Sequence, residues 1–249
     1  MGHTPEVEAK PWGDFLPWFG GVWKPGEHLS VIAPTGAGKT TFVGGVLEGS
    51  RNYILAFDPK GGDSTLRGLG WPRLPSWPPP PAVYKDIEEG RPARFLVGPT
   101  TRLVQDLITQ RAVFAAALDG AFEDGGWTVY VDELQLLADR RMMNLGPQVE
   151  RLLIAARDLG LSVVTAYQRP ANVPRTAADQ ATWVAVSYTR DKDVVDRVAE
   201  MLGRPKPEIR GLMAGLEPYT WGVVGRNPRL PMILTRPPEI TRRKTDRPA

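Results

Sequence analysis

With 249 residues, 42% hydrophobic and 24% charged, the chain has ordinary globular composition and the length for one large α/β domain, which excludes an intrinsically disordered protein. Its net charge of +3 is uneven: residues 226–249 hold seven Arg or Lys against two acids while the rest sums to −2, so that end is either a contact for phosphate backbones or an acidic membrane surface, or a plain solvated terminus. The absence of cysteine excludes a disulfide framework, a thiolate zinc site and a cysteine nucleophile; no apolar run approaches the ~18–20 residues of a membrane span, and Glu6, Glu8 and Asp14 break the order of a signal peptide, so a soluble cytoplasmic protein is expected.

Residues 1–25, rich in Trp, Pro and Gly, show no clear period and are expected to form a strap or lid along the domain edge. A short apolar run at 29–33 ends in Pro34-Thr35-Gly36, and a helical pattern follows over 39–47, giving strand, loop, helix. A second strand, 53–57, stops at Asp58-Pro59-Lys60-Gly61-Gly62. The segment through Trp71, Trp77 and the four prolines Pro78 to Pro81 lacks donors for a regular helix or central strand, so it reads as a surface excursion, either a stiff connector or a polyproline ligand.

Residues 93–97 read as a strand, and 101–122 as a helix carrying Leu103, Leu107, Ile108, Arg111, Phe114 and Leu118 at helical spacing. A β-rich run at 127–131 ends in acids. A helix at 147–159, strands at 161–167 and 182–187, a helix at 191–202 and strands at 219–224 and 232–235 complete the pattern. Strands alternating with long helices imply a mostly parallel central sheet with helices on both faces, the last strands forming an antiparallel edge. The domain is taken as 26–240, with 241–249 as a basic tail.

The string Ala33-Pro34-Thr35-Gly36-Ala37-Gly38-Lys39-Thr40 fits the phosphate-binding pattern G-x-x-x-x-G-K-[ST], with Ala33 at the first glycine position. Small residues let the loop from Pro34 to Thr41 curl around a β-phosphate at a helix N-terminus, its backbone N–H groups from Thr35 onward turned inward. Lys39 then reaches the β- and γ-oxygens of ATP and the Thr40 hydroxyl ligates Mg2+. Downstream, Val129-Tyr130-Val131 delivers Asp132 and Glu133 at a strand end. After a P-loop, the first acid holds Mg2+ through water and the second polarises the attacking water, favouring hydrolysis over transfer to an acceptor; without a P-loop such a pair is commonly a helix N-cap. Gln168 follows the apolar strand 162–167, at the C-terminal strand end beside the P-loop where ligands of a parallel sheet collect, and is either a γ-phosphate sensor or a turn residue before Pro170.

The order P-loop, Asp132-Glu133, RDLGLSVVTAYQRP and RDKDVVDRVAEMLG resembles the FtsK–HerA superfamily of DNA-translocating ATPases, with Tyr167 where members usually carry Thr. Asp58-Pro59-Lys60-Gly61-Gly62 is also similar to a turn of conjugative coupling proteins and HerA-like pumps. The resemblance implies a RecA-like P-loop NTPase core, a hexameric ring, double-stranded DNA in its pore, and ATP between subunits with an arginine supplied by the neighbour. Arg157 best matches the family's arginine-bearing helix end, with Arg151 and Arg190 as rivals; Arg157 as a helix cap is the other reading. Asp139 to Asn144 is the candidate pore loop, with Arg140 and Arg141 either contacting DNA or forming a solvated helix end. The compact size resembles viral genome-packaging ATPases, which implies a capsid or membrane portal partner and a host-cytoplasmic or virion-associated location. The alternatives are a conjugation or plasmid coupling ATPase and a non-motor ATP-dependent switch.

Overall fold

The computed structural model describes residues 6–50, 53–59, 64–98, 107–155, 157–169, 173–189 and 192–238. Ten strands form one sheet: β1 (Val7–Ala9), β2 (His28–Ile32), β3 (Tyr53–Phe57), β4 (Arg73–Leu74), β5 (Arg94–Val97), β6 (Trp127–Val131), β7 (Ser162–Tyr167), β8 (Ala181–Ser187), β9 (Trp221–Gly225) and β10 (Met232–Thr235). Their order is β1-β10-β9-β8-β2-β7-β6-β3-β5-β4. From β8 through β4 neighbouring strands pair in parallel, and β9 runs antiparallel to both β8 and β10. The expected antiparallel edge is therefore one reversed strand, beyond which β10 and β1 pair in parallel again.

The helices are α1 (Trp12–Val22), α2 (Lys39–Glu48), α3 (Ser64–Gly68), α4 (Pro81–Glu88), α5 (Leu107–Asp124), α6 (Leu134–Ala138), α7 (Gly146–Ala155), α8 (Arg175–Asp179), α9 (Lys192–Leu202) and α10 (Lys206–Ala214). Alternation along the strands splits the core into two layers, because successive strand side chains face opposite sides. Leu29, Val31, Ala56, Val164 and Ala185 pack with Phe15 and Phe19 of α1 and Phe42, Val43 and Val46 of α2. Ile32, Phe57, Val129, Val131 and Val163 pack with Phe114 and Leu118 of α5, Leu152 of α7 and Val198 of α9. Strands β2, β6 and β7 are buried along their whole length, as expected of parallel strands covered on both faces.

Several segments differ from the sequence expectation, two of them at prolines. Residues 12–22 are helical although α1 contains Pro17, Gly13, Gly20 and Gly21; burial of Phe15 and Phe19, one turn apart, outweighs the weak propensity. Pro81 opens α4 at a first-turn position, where its missing N–H costs no helical bond, so only the residues before it form the proline-rich connector. Trp77 of that connector is packed edge-on against Trp127, ring centroids 6.1 Å apart. Lys60-Gly61-Gly62, the 101–106 start of the expected helix, Pro170, Arg190, Asp191 and the 241–249 tail lie outside the described residues.

Candidate active site

The loop between β2 and α2 begins where the Ala33 N–H donates to the Tyr167 carbonyl (3.2 Å), tying it to the end of β7. Gly36 and Gly38 both have φ of 81°, a left-handed conformation that glycine adopts without Cβ strain. Pro34, Thr35 and Gly36 are exposed, Ala37 through Thr41 are half-buried, and the space around Gly36 is open. Gly38 holds the N-cap position of α2 without a side-chain cap bond, so the first-turn N–H groups and the positive end of the helix dipole face the loop's concavity.

Only β7 separates β2 from β6, and this brings the end of β6 to the start of α2. The Lys39 ammonium lies 3.6 Å from Asp132 Oδ1 and 3.4 Å from Glu133 Oε1. The three side chains are 11%, 5% and 15% exposed respectively, so the charges interact with weak solvent screening. Tyr130 donates a 2.9 Å hydrogen bond to Asp132 Oδ1, fixing that carboxylate. Glu133 is in the left-handed region at φ 53°, uncommon for a residue with a side chain, and it is the N-cap residue of α6 without a side-chain cap bond. One cation held between two acids leaves a net negative, oxygen-rich centre at the helix terminus.

Gln168 is exposed immediately after Tyr167. Because Tyr167 is in register with Ile32, Gln168 stands at the same sheet edge as the loop and the acidic pair. Arg157 does not. Its Cα lies 2.9 Å from where a Cβ on Gly26 would sit, and Gly26 precedes β2 and donates to Ser162 Oγ at the start of β7. At ~3.3 Å per strand residue, Arg157 is about 20 Å from its own chain's loop. Arg151 is paired with Asp119 at 2.7 Å and covers the Phe122 ring. Arg140 and Arg141 are exposed on the turn between α6 and α7. Asp58, at the end of β3, is buried, and the adjacent Pro59 carbonyl accepts a 3.0 Å bond from Gln110 Nε2.

The sequence did not single out Tyr130 or Tyr219. Tyr130 is readable as the residue two before Asp132, hence on the same side of the strand. Tyr219 follows Pro218 in a turn, and its ring carbon Cδ1 comes within 3.8 Å of where a Cβ on Gly38 would sit.

No family model matches the chain, and no curated protein matches it in sequence. Solved structures do. The genome packaging NTPase B204 from Sulfolobus turreted icosahedral virus 2, in complex with AMP, superposes with a TM-score of 0.60 at 16% identity, covering 87% of this chain and 100% of that one. VirB4 of Thermoanaerobacter pseudethanolicus gives 0.55 at 13% identity over 86% of this chain and 90% of its own. The pCW3 conjugation coupling protein TcpA, in monomer form with ATPγS, gives 0.51 at 13% over 84% and 59%. These neighbours are consistent with the FtsK–HerA resemblance of the sequence; at this identity the likeness establishes the fold, an α/β architecture with a mostly parallel sheet shared with P-loop ATPases.

Proposed function

We propose that the chain is an ATP-hydrolysing motor that moves double-stranded DNA, with packaging of a viral genome as its task. The observation that carries this is the convergence of Lys39, Asp132 and Glu133 within 3.6 Å at the mouth of a glycine-turned loop. The order β8-β2-β7-β6-β3, with one strand between the loop strand and the acidic strand, is read as a RecA-like core. The likeness to B204 over nearly all of both chains supports packaging over other uses of that core.

The residues fit Mg2+. Asp132 presents a buried carboxylate fixed by Tyr130, Thr40 follows Lys39, and one buried ammonium between two acids leaves the centre net negative. A hard cation coordinated by few protein oxygens plus phosphate and water suits that donor set. Thr40 and Asp132 would hold it, and the chemistry it supplies is neutralisation of phosphoryl charge. Lys39 turns from the acids toward the β- and γ-oxygens, the N–H groups of Gly36 to Thr41 hold the β-phosphate, Glu133 accepts a proton from the attacking water, and Gln168 contacts the γ-phosphate. Arg157, too far from its own site, acts on a neighbour's nucleotide in a hexameric ring.

The test is ATP turnover with and without long duplex DNA, together with particle mass in ATP. Stimulation by DNA in a ring-sized particle supports the motor; turnover indifferent to DNA overturns it in favour of a switch. The likeness to TcpA and VirB4 keeps a coupling ATPase as the second reading, which stable association with a membrane partner or relaxase would favour.

A further inference from the structure

We infer that Tyr219 is the base-stacking residue of the nucleotide site, so that the ligand recognised there is a nucleoside triphosphate through its ring as well as its phosphates. This rests on the P-loop reading above and extends it to the other end of the ligand.

Tyr219 is a large aromatic side chain left 52% exposed and in a conformation that is costly for it. The Thr220 N–H donates to the Glu217 carbonyl at 3.0 Å, closing a four-residue turn with Pro218 second and Tyr219 third at φ 65°. A proline-led turn with positive φ at its third residue favours glycine or asparagine there, and a bulky residue is strained. Tyrosine at that position leaves about half of its surface in solvent, so burial offsets the strain of the turn only in part; strained residues of this kind cluster at ligand sites.

The turn is also aimed. β9 begins beside the C-terminal end of β8, with Trp221 in register with Ser187, so the residues before it lie on the sheet edge that carries the phosphate loop. Trp221 stacks on Phe42 of α2, ring centroids 4.3 Å apart and planes 20° from parallel. The Phe42 N–H in turn bonds the Gly38 carbonyl at 3.0 Å. These contacts tie the start of β9 to α2, and the Tyr219 ring lies beside Gly38, on the β8 side of the loop and away from the acids on the β6 side. A triphosphate with its γ-end toward Lys39, Asp132 and Glu133 leads its ribose and base out over that ring. An aromatic face exposed to solvent and held on a rigid support is what base stacking requires.

The experiment compares Mg-ATPγS with Mg-tripolyphosphate, which has the phosphates and no base, by calorimetric titration of the full chain. Wild type binds both. Tyr219→Ala and Tyr219→Gly weaken ATPγS by about 10- to 100-fold and leave tripolyphosphate unchanged, while Tyr219→Phe keeps wild-type affinity. Tyr219→Gly does so without lowering the melting temperature, because glycine relieves the turn. Unchanged ATPγS affinity in Tyr219→Ala and Tyr219→Gly overturns the inference while sparing the phosphate loop. Failure of wild type to bind tripolyphosphate overturns the P-loop reading itself and this inference with it.

Discussion

Tyr130 Oη and Asp132 Oδ1 are 2.9 Å apart, and both residues are buried. The phenol is thus an outer support that fixes the orientation of the carboxylate assigned to Mg2+. Tyr130→Phe removes that support while preserving the ring's packing. Half-maximal turnover should then need roughly tenfold more Mg2+, since such outer partners commonly matter by that order. A magnesium titration of ATPase rate checks it, and a curve superimposable on wild type would mean that the hydrogen bond is structural only.

Glu133 and Lys39 separate binding from chemistry. Glu133→Gln keeps the side chain's shape and loses the base, so nucleotide binding should persist while turnover falls by about 10²- to 10⁴-fold. Lys39→Ala should abolish nucleotide binding. It also leaves Asp132 and Glu133 facing each other without the ammonium, and removing one partner of a buried ion pair destabilises the rest. Calorimetric binding and single-turnover hydrolysis of the two variants distinguish the roles; normal hydrolysis in Glu133→Gln would reassign the base.

His28 gives the fold a pH dependence with a definite sign. Its Nδ1 accepts from the Val163 N–H and its Nε2 lies 3.0 Å from the Leu153 carbonyl, so the buried ring is held neutral. Burial lowers its pKa from 6.5 to about 4. The unfolded chain takes up this proton as pH falls through 6.5 and the folded chain resists until about 4. The contribution is therefore complete above 6.5 and lost on the way down to 4, to a total of about 3 kcal/mol. Denaturant melts across that window should show a stability slope that His28→Gln flattens.

Much of the site was legible because its parts are local in sequence. The apolar runs that become β2, β6 and β7 are each bounded by turn or charged residues, and the loop from Ala33 to Thr40 carries its own glycine pattern. What was not legible depends on strand order. That Lys39 touches Asp132, 93 positions later, follows from β7 inserting between β2 and β6, and no periodicity encodes an insertion. Helices α1 and α10 were missed because each is interrupted or flanked by Pro and Gly and relies on tertiary burial of Phe15 and Phe19, or of Ile209 and Leu212, rather than on propensity. The position of Arg157 at the far edge likewise required the packing of its turn against Gly26.

That far position makes Arg157 testable across subunits. In a ring that mixes Arg157→Ala chains with Glu133→Gln chains, some interfaces join an intact Glu133 to an intact Arg157. Each variant alone should be inactive, and the mixture should recover part of the DNA-stimulated rate. Absence of recovery in particles shown by mass to contain both chains would confine Arg157 to its own helix end.

Trp12 and Gly45 link the N-terminal helix to the helix that bears Lys39. A Cβ on Gly45 would sit 2.5 Å from Trp12 Cζ2, while the same indole stacks on Phe15 at 5.4 Å and tilts against Phe42 at 5.6 Å. Two effects oppose each other in Gly45→Ala. Alanine favours the helix by about 1 kcal/mol, but the methyl displaces a rigid indole from both aromatic partners, a form of overpacking that typically costs ~1–3 kcal/mol. The clash should win, and the variant should unfold at lower denaturant. In a Trp12→Ala background nothing remains to be displaced, so the same substitution should become stabilising by roughly the helix term. The reversal of sign between the two backgrounds, read from a double-mutant cycle of unfolding free energies, is specific to this contact. If Gly45→Ala lowers stability equally in both, the glycine is required for some reason other than the tryptophan laid across it.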